Sequence, residues 1–326
     1  MKHISILVPY DAVPAAIVDP RYMFTTINQF LAETGKEPVF DVQLVGLAQQ
    51  VQLVNNAFAV NTDKLCSDIE KTDMVIIPAL AGDMKTSLER NKELVPWIIK
   101  QYENGAEITS LCIGAFLLAE TGLLNGKECS THWLFANSFR EMFPEVILTD
   151  GSIITEGDRL NSSGGAASYW NMLLRIIERY AGREMAIRAS KFFAIEIDRK
   201  SQSPFIMFNG QKKHEDEPIK KAQEFIEENL AEKISIEDLA TRFAIGRRHF
   251  IRRFKKATNN TPAEYIQRVK IEAAKKHLEN TRKNINEVMY DVGYTDVKTF
   301  RTVFKKITGL SPIDYKHRYN RDGAVN

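Results

Sequence analysis

The stretch Phe250-Ile251-Arg252-Arg253-Phe254, followed by Thr261-Pro262-Ala263-Glu264-Tyr265, returns fifty residues later as Phe300-Arg301-Thr302-Val303-Phe304 and Ser311-Pro312-Ile313-Asp314-Tyr315. Glu237 and Leu239 recur at the same offset as Glu287 and Met289. Self-similarity at a fixed spacing marks a repeated structural unit, and two copies are too few for a solenoid. The region from Glu237 to Tyr315 therefore reads as one small helical unit, duplicated.

Each copy has the pattern of two helices about a tight turn. In the first, Ser235 predicts an N-cap, with Asp238 at the third helical position. A helix from Ile236 to Phe243 follows, then the turn Ala244-Ile245-Gly246, then a second helix from Arg247 to Thr258. Phe250, Phe254 and Ala257 fall at i, i+4 and i+7, so they form the buried stripe. Arg247, Arg248, Ile251, Arg252, Lys255 and Lys256 are left facing outward. In the second copy, Asn286 to Val292 is the first helix and Gly293-Tyr294-Thr295-Asp296 the turn. The second helix runs from Val297 to Thr308, with Phe300, Val303 and Phe304 inward and Lys298, Thr299, Arg301 and Thr302 outward. The two helix-turn-helix units are thus expected at about 236–258 and 286–308. Between them, Ala263 to Leu278 contains no Gly or Pro and predicts a long helix that holds the units at a fixed separation. A plain helical bundle with solvated basic faces explains one such pattern; it does not explain two in register, each with a basic second helix.

These residues resemble the DNA-binding domain of AraC/XylS-type transcription regulators. The resemblance rests on Leu239-Ala240, Phe250-x-Arg252-x-Phe254, Thr261-Pro262-x-x-Tyr265 and Arg268-x-x-x-Glu272-Ala273-Ala274. It continues through Val292-Gly293-Tyr294, Phe300-x-x-x-Phe304 and Gly309-x-Ser311-Pro312-x-x-Tyr315, and covers residues 218–321. Asn260 stands where the family usually has Gly before Thr-Pro, and Asn tolerates a left-handed backbone. The resemblance implies that Arg248, Ile251 and Arg252, then Lys298, Thr299 and Thr302, meet bases in successive major-groove segments. Arg252 is the candidate for a bidentate guanine contact, and Ile251 has only a thymine methyl to read.

Charge divides the chain in the same place. Residues 218–321 carry 23 Lys and Arg against 13 Asp and Glu, or +10, while the rest carries 21 against 29, or −8. A polyanionic partner is expected for the C-terminal part alone. The apolar run at the N-terminus is interrupted by Tyr10, Asp11 and Pro14, so no signal peptide is expected. No apolar run reaches eighteen residues, so no membrane span is expected either. Cys66, Cys112 and Cys129 are scattered without metal-ligand spacing, which predicts no metal and fits a reducing cytoplasm. No cofactor signature is present.

Residues 1–198 alternate strand and helix. Strands are expected at Ile4 to Pro9, Val39 to Leu47, Met74 to Pro78 and Glu107 to Cys112. Helices are expected at Pro20 to Ala32, Glu93 to Tyr102 and Ala115 to Glu120. That order predicts an α/β domain, a parallel sheet covered on both faces, with ligands at the carboxyl ends of its strands. Thr109-Ser110-Leu111-Cys112-Ile113-Gly114-Ala115-Phe116 places a cysteine at a sharp strand-to-helix turn, the geometry that exposes a nucleophile over a helix N-terminus. The helix dipole there is expected to lower the thiol pKa. His132, in Ser130-Thr131-His132-Trp133, ends the next short strand and is the candidate partner of Cys112 in one pocket.

This part resembles the PfpI-type, class I glutamine amidotransferase-like domain, which has a flavodoxin-like fold. The matching residues are Ser110-Leu111-Cys112-x-Gly114-Ala115-Phe116, Leu118-Ala119-x-x-Gly122-Leu123-Leu124-x-Gly126, Thr131-His132-Trp133 and Ser162-Ser163-Gly164-Gly165. Catalytic members often carry a carboxylate near the end of the first strand, for which residues 11–19 offer no clear match. Ser110 also replaces a small Gly or Ala two residues before the cysteine. Residues 199–217 are polar and read as a linker, and Gln202-x-x-Phe205 within it fits the GlxA-type subgroup of AraC-family regulators, which joins these two domains in this order. The combined resemblance implies a cytoplasmic, homodimeric, non-enzymatic regulator that binds promoter DNA, answers a small and possibly nitrogenous effector, and works with RNA polymerase, most often as an activator. A cysteine-dependent amidase or hydratase, or a thiol redox sensor, is the alternative use of the Cys112 turn.

Overall fold

The computed structural model describes residues 1–53, 57–197, 199 and 201–320. The chain divides into two compact units, Met1–Gln202 and Ser203–Asn326.

The first unit is built on a seven-stranded sheet. Its strands are β1 (Lys2–Leu7), β2 (Phe40–Gly46), β5 (Lys64–Leu65), β6 (Met74–Ile77), β7 (Glu107–Ser110), β10 (Ile154–Glu156) and β11 (Leu160–Ser163). Two small ladders, β3 (Gln50–Leu53) with β4 (Phe58–Asn61) and β8 (Glu128–Cys129) with β9 (Ile147–Leu148), stand apart. The sheet order is β10-β11-β7-β6-β1-β2-β5, parallel throughout except for the antiparallel edge pair β10–β11. The central strands β1 and β6 are apolar on both faces because helices cover both sides. Ile6, Leu7, Val75, Ile76 and Ile77 are all fully buried.

The covering helices are α1 (Ala15–Glu33), α2 (Met84–Arg90), α3 (Leu94–Glu103), α4 (Ala115–Glu120), α5 (Ala136–Met142), α6 (Tyr169–Ala181) and α7 (Arg183–Phe192). The expected strands and helices occur with small shifts. β1 ends at Leu7, two residues short of Pro9. α1 starts at Ala15 and contains Pro20 rather than beginning at it.

The second unit is helical. It comprises α8 (Glu217–Glu228), α9 (Ile236–Arg242), α10 (Arg247–Thr258), α11 (Pro262–Asn280), α12 (Ile285–Asp291), α13 (Val297–Thr308) and α14 (Pro312–Tyr319). Two separate cores form. Leu239, Phe250, Phe254, Tyr265 and Val269 lie in one, and Ile271, Leu278, Val288, Phe300, Phe304 and Tyr315 in the other. The duplication persists into bonding detail. Phe254 meets Tyr265 edge to face at 5.2 Å, and Phe304 meets Tyr315 at 5.4 Å. The Tyr265 hydroxyl donates to Glu227 at 2.8 Å, and that of Tyr315 to Glu279 at 2.5 Å. Thr258 and Thr308 each turn a hydroxyl back to the Phe carbonyl four residues before.

The constant offset of fifty holds only from the second helices onward. The first helices, α9 and α12, align at forty-nine. Backbone bonds Phe243→Leu239, Ala244→Thr241 and Ile245→Ala240 recur as Val292→Val288, Gly293→Tyr290 and Tyr294→Met289. Glu287 therefore corresponds to Asp238, not Glu237, and Met289 to Ala240, not Leu239. The second turn is one residue longer. Its left-handed residue is Gly293 (φ 70°) where the first turn uses Ala244 (φ 53°).

Two further expectations are corrected. The left-handed residue ending α10 is Asn259 (φ 54°), matching Gly309 (φ 75°), while Asn260 is buried and donates to the Thr258 carbonyl. The polar stretch 199–217 is also no free tether. Gln202 belongs to the first unit. From Ser203 onward the chain lies on the helical unit: Phe208 stacks edge-on against Tyr265 at 5.2 Å, and Lys275 donates to the Ile206 carbonyl at 2.6 Å. Asp216 caps α8 and takes both a 2.9 Å and a 2.7 Å bond from Arg253. Asp198 and Lys200 lie outside the described residues.

Candidate nucleic-acid interface and cysteine turn

α10 and α13 have the bounds expected of them, and each buries its phenylalanines while leaving its basic face in solvent. On α10, Arg248, Arg252 and Lys256 fall at i, i+4 and i+8 and are exposed. Ile251 beside them is half-buried. Arg247 is exposed and paired with Glu237 of α9. Arg253 is turned away and held by Asp216, which leaves its neighbours as the outward cations.

On α13, Lys298, Thr299, Arg301 and Thr302 are exposed. Asp296 caps the helix, accepting from the Thr299 backbone N–H at 2.7 Å. The Thr299 hydroxyl also donates to Asp296, at 2.6 Å, and the Thr302 hydroxyl donates to the Lys298 carbonyl at 2.8 Å. Both hydroxyl protons are engaged inside the helix, so toward an outside partner these threonines are acceptors or methyl surfaces. The first halves of the two helices therefore present unequal chemistry: arginine forks on α10, and Lys298, Arg301 and two committed hydroxyls on α13.

In the first unit, Cys112 sits at the carboxyl end of β7 with a left-handed backbone (φ 55°), a conformation costly for a residue with a Cβ. The turn is forced by close packing. A Cβ on Gly114 would stand 2.4 Å from the Pro78 carbonyl oxygen and 2.7 Å from that of Ile77. The Cys112 N–H donates to Ser163 Oγ at 3.3 Å, and Thr131 Oγ1 donates to the Cys112 carbonyl at 3.2 Å. Cys112 is buried, and burial pushes its thiol up to about 12. The shift runs opposite to the lowering expected at a helix N-terminus: loss of water around the thiolate raises the pKa, and the Ile113 backbone N–H lowers it by less. Cys66 and Cys129 are buried and raised to about 12 in the same way.

Thr131 lies against the Cys112 backbone, but among the described residues His132 makes no hydrogen bond with Cys112. Its Nδ1 accepts from the Leu134 N–H at 3.1 Å, and its ring lies against Trp133 and Phe135. Burial lowers its pKa. The loop is clamped by Gln202, which is nearly fully buried. Its Nε2 donates to the Thr131 carbonyl at 3.0 Å and the Ser152 carbonyl at 2.8 Å, and its Oε1 accepts from the Trp133 N–H at 3.3 Å. In the sequence Gln202 stands out only through its spacing to Phe205, and nothing local marks Tyr169. The Tyr169 hydroxyl donates to Asp19 on α1 at 2.6 Å, and burial, Asp19 and then the nearby Cys112 sulfur all raise its pKa. Among the described residues no group of three or more His, Cys, Asp or Glu could hold a metal ion, and no helix is long and apolar enough to cross a membrane.

Comparison with known proteins matches each unit. The DJ-1/PfpI family matches residues 24–179, and a helix-turn-helix domain family matches residues 239–318. The chain is similar to the HTH-type transcriptional regulator GbdR of Pseudomonas aeruginosa, 29% identical over 74% of this chain and 65% of that protein. It thus spans just under two thirds of that relative's length. It is 23% identical to the HTH-type transcriptional regulator GlxA of Rhizobium meliloti over 66% of each chain. Among solved structures, an AraC family transcriptional regulator from Pseudomonas putida superposes with a TM-score of 0.51 at 16% identity, over 59% of this chain and 100% of that one. That likeness is one of fold.

Proposed function

We propose that this chain, which matches the DJ-1/PfpI family over residues 24–179 and a helix-turn-helix domain family over residues 239–318, is a sequence-specific DNA-binding transcription regulator of the AraC type. The observation that carries this reading is the pair α10 and α13, two helices with solvent-facing cations mounted on one shared helix, α11. The basic face attracts phosphate, and Arg248 and Arg252 supply forks for base edges. The acidic first unit leaves the helical unit as the surface for a polyanion.

The inequality of the helices has a consequence. α10 reads its DNA box through arginine donors and specifies it tightly. α13, with Thr299 and Thr302 already bonded inward, reads its box more through phosphate and shape, and tolerates more sequences. The first unit binds a small, nitrogen-containing effector beside Cys112 and pairs two copies of the chain, and the bound regulator recruits RNA polymerase as an activator. These finer features draw on the subgroup resemblance. Catalysis is not part of the reading, since a thiol near 12 is protonated at neutral pH and a poor nucleophile.

Selection from a random duplex library with the full-length chain tests the DNA reading. It should return two boxes about one helical turn apart, one sharp and one tolerant, with affinity falling steeply with salt. Binding without any sequence preference would refute it.

A further inference from the structure

Helix α11 changes from one core to the other at a single residue. Tyr265 and Val269 belong to the first core, and Ile271, Ala274 and Leu278 to the second. Lys270 lies between them and is only 6% exposed. Its ammonium donates to the Glu232 carbonyl at 3.0 Å and to the Gly293 carbonyl at 3.3 Å. Glu232 belongs to the segment between α8 and α9, ahead of the first helix pair. Gly293 is the left-handed turn residue of the second pair.

The approach between these segments is close. A Cβ on Gly293 would stand 2.6 Å from the Ala231 carbonyl oxygen, 2.7 Å from that of Leu230 and 2.7 Å from Lys270 Nζ. The Tyr294 ring lies 5.7 Å from the same ammonium. Burying an amine costs free energy unless its donors are satisfied, and here carbonyls from two separate segments satisfy it. An apolar side chain would fill the junction without that cost, but it would tie nothing together.

We propose that Lys270 is a positioning residue for DNA binding: by bridging the Glu232 and Gly293 carbonyls it fixes the separation of the two recognition helices, and so the distance between the two DNA boxes the chain accepts. The proposal rests on the reading of α10 and α13 as recognition helices. Core packing alone holds each helix pair together, while the bridge sets one pair against the other.

The test is selection from a random duplex library with full-length wild type, Lys270→Met, Lys270→Gln and Lys270→Arg, followed by binding to the selected site with one base pair inserted between the boxes. Wild type should lose roughly tenfold or more on the insertion, the scale of a mismatched base pair, while Lys270→Met should lose less than about threefold. Lys270→Met should still select the same two boxes, now spread over several spacings. Lys270→Arg keeps donors for both carbonyls and should restore one spacing. A folded Lys270→Met chain with the wild-type spacing overturns the proposal. If that variant does not fold, Lys270→Gln carries the same comparison. If neither folds, Lys270 serves the fold rather than the spacing, which also overturns it. A wild type that selects no motif removes the DNA reading itself, an outcome distinct from unchanged spacing in the variants.

Discussion

Phe254→Ala and Phe304→Ala are expected to destabilise the helical unit equally, and severely. Both rings are fully buried. Each has the same surroundings: a neighbouring phenylalanine at 5.7 Å and an edge-to-face tyrosine at 5.2 or 5.4 Å. Setting aside the Cβ that alanine keeps, the lost ring represents roughly 120 Å² of apolar surface, or about 3 kcal/mol at 25 cal/mol per Å². The unfilled cavity and the lost aromatic pair carry the total toward 5 kcal/mol, within the usual range of about 3–5 kcal/mol for buried Phe truncation. A domain of this size has about 5–15 kcal/mol in hand, so either variant should unfold far earlier. Urea unfolding of the full-length chain, followed by far-ultraviolet circular dichroism and by operator binding, measures the effect. The helical unit's transition should move while the first unit's stays. A variant melting near wild type would refute the burial argument. A difference between the two variants above about 1.5 kcal/mol, beyond the ordinary spread of a single aromatic contact, would refute the equivalence of the duplicated cores.

Three other outcomes are expected. Arg252→Ala should cost about 1–3 kcal/mol of specific DNA binding and relax one base position, measured by fluorescence anisotropy on the selected site; unchanged affinity would mean α10 is turned differently on DNA. The Cys112 thiol, held near 12, should resist iodoacetamide at pH 8 in the native chain and react at once in denaturant; since folding raises its pKa, the stability this group contributes is complete below the unfolded value of about 8.5 and declines as pH rises toward 12, so rapid native alkylation at pH 8 would contradict the burial. Asp216→Asn keeps an oxygen to cap α8 but loses the charge facing Arg253, which, with its hydrogen bonds, holds the carboxyl below its ordinary range; wild type should melt higher at pH 7, with the advantage fading as pH falls below about 3.9, and a gap that persists at pH 2 would show that charge is not its source.

Where the sequence was informative, local chemistry decided the structure. Arg247–Thr258 and Val297–Thr308 are bounded by turn residues and striped by phenylalanines, so their limits and inward faces follow from periodicity alone. The one-residue shift between α9 and α12 was hidden because apolar residues occupy both candidate positions, Leu239 and Ala240 in one copy and Val288 and Met289 in the other. Only the bond pattern of the turns, anchored by Ala244 and Gly293, separates the two alignments. Elsewhere the sequence was silent because the deciding partner is distant. Gln202 clamps Thr131 across 71 positions, and Asp19 meets Tyr169 across 150.

The cysteine turn shows the same limit from the energetic side. Its local signal, a thiol at a helix start, was legible and pointed to a lowered pKa. The opposing effect comes from everything packed around it, which no short motif records. Ser163, Thr131 and the close-packed Gly114 seal the turn against the sheet, and the sulfur loses the water that would stabilise its anion. The turn is sharp enough to resemble a nucleophile elbow, yet the cysteine on it is buried. Burial holds the Cys112 thiol protonated at neutral pH, so the residue is expected to pack rather than to react. Substituting Cys112→Ser should therefore leave DNA binding intact and weaken any effector response only modestly, whereas a reactive thiol would lose the response completely; promoter output with effector present separates the two.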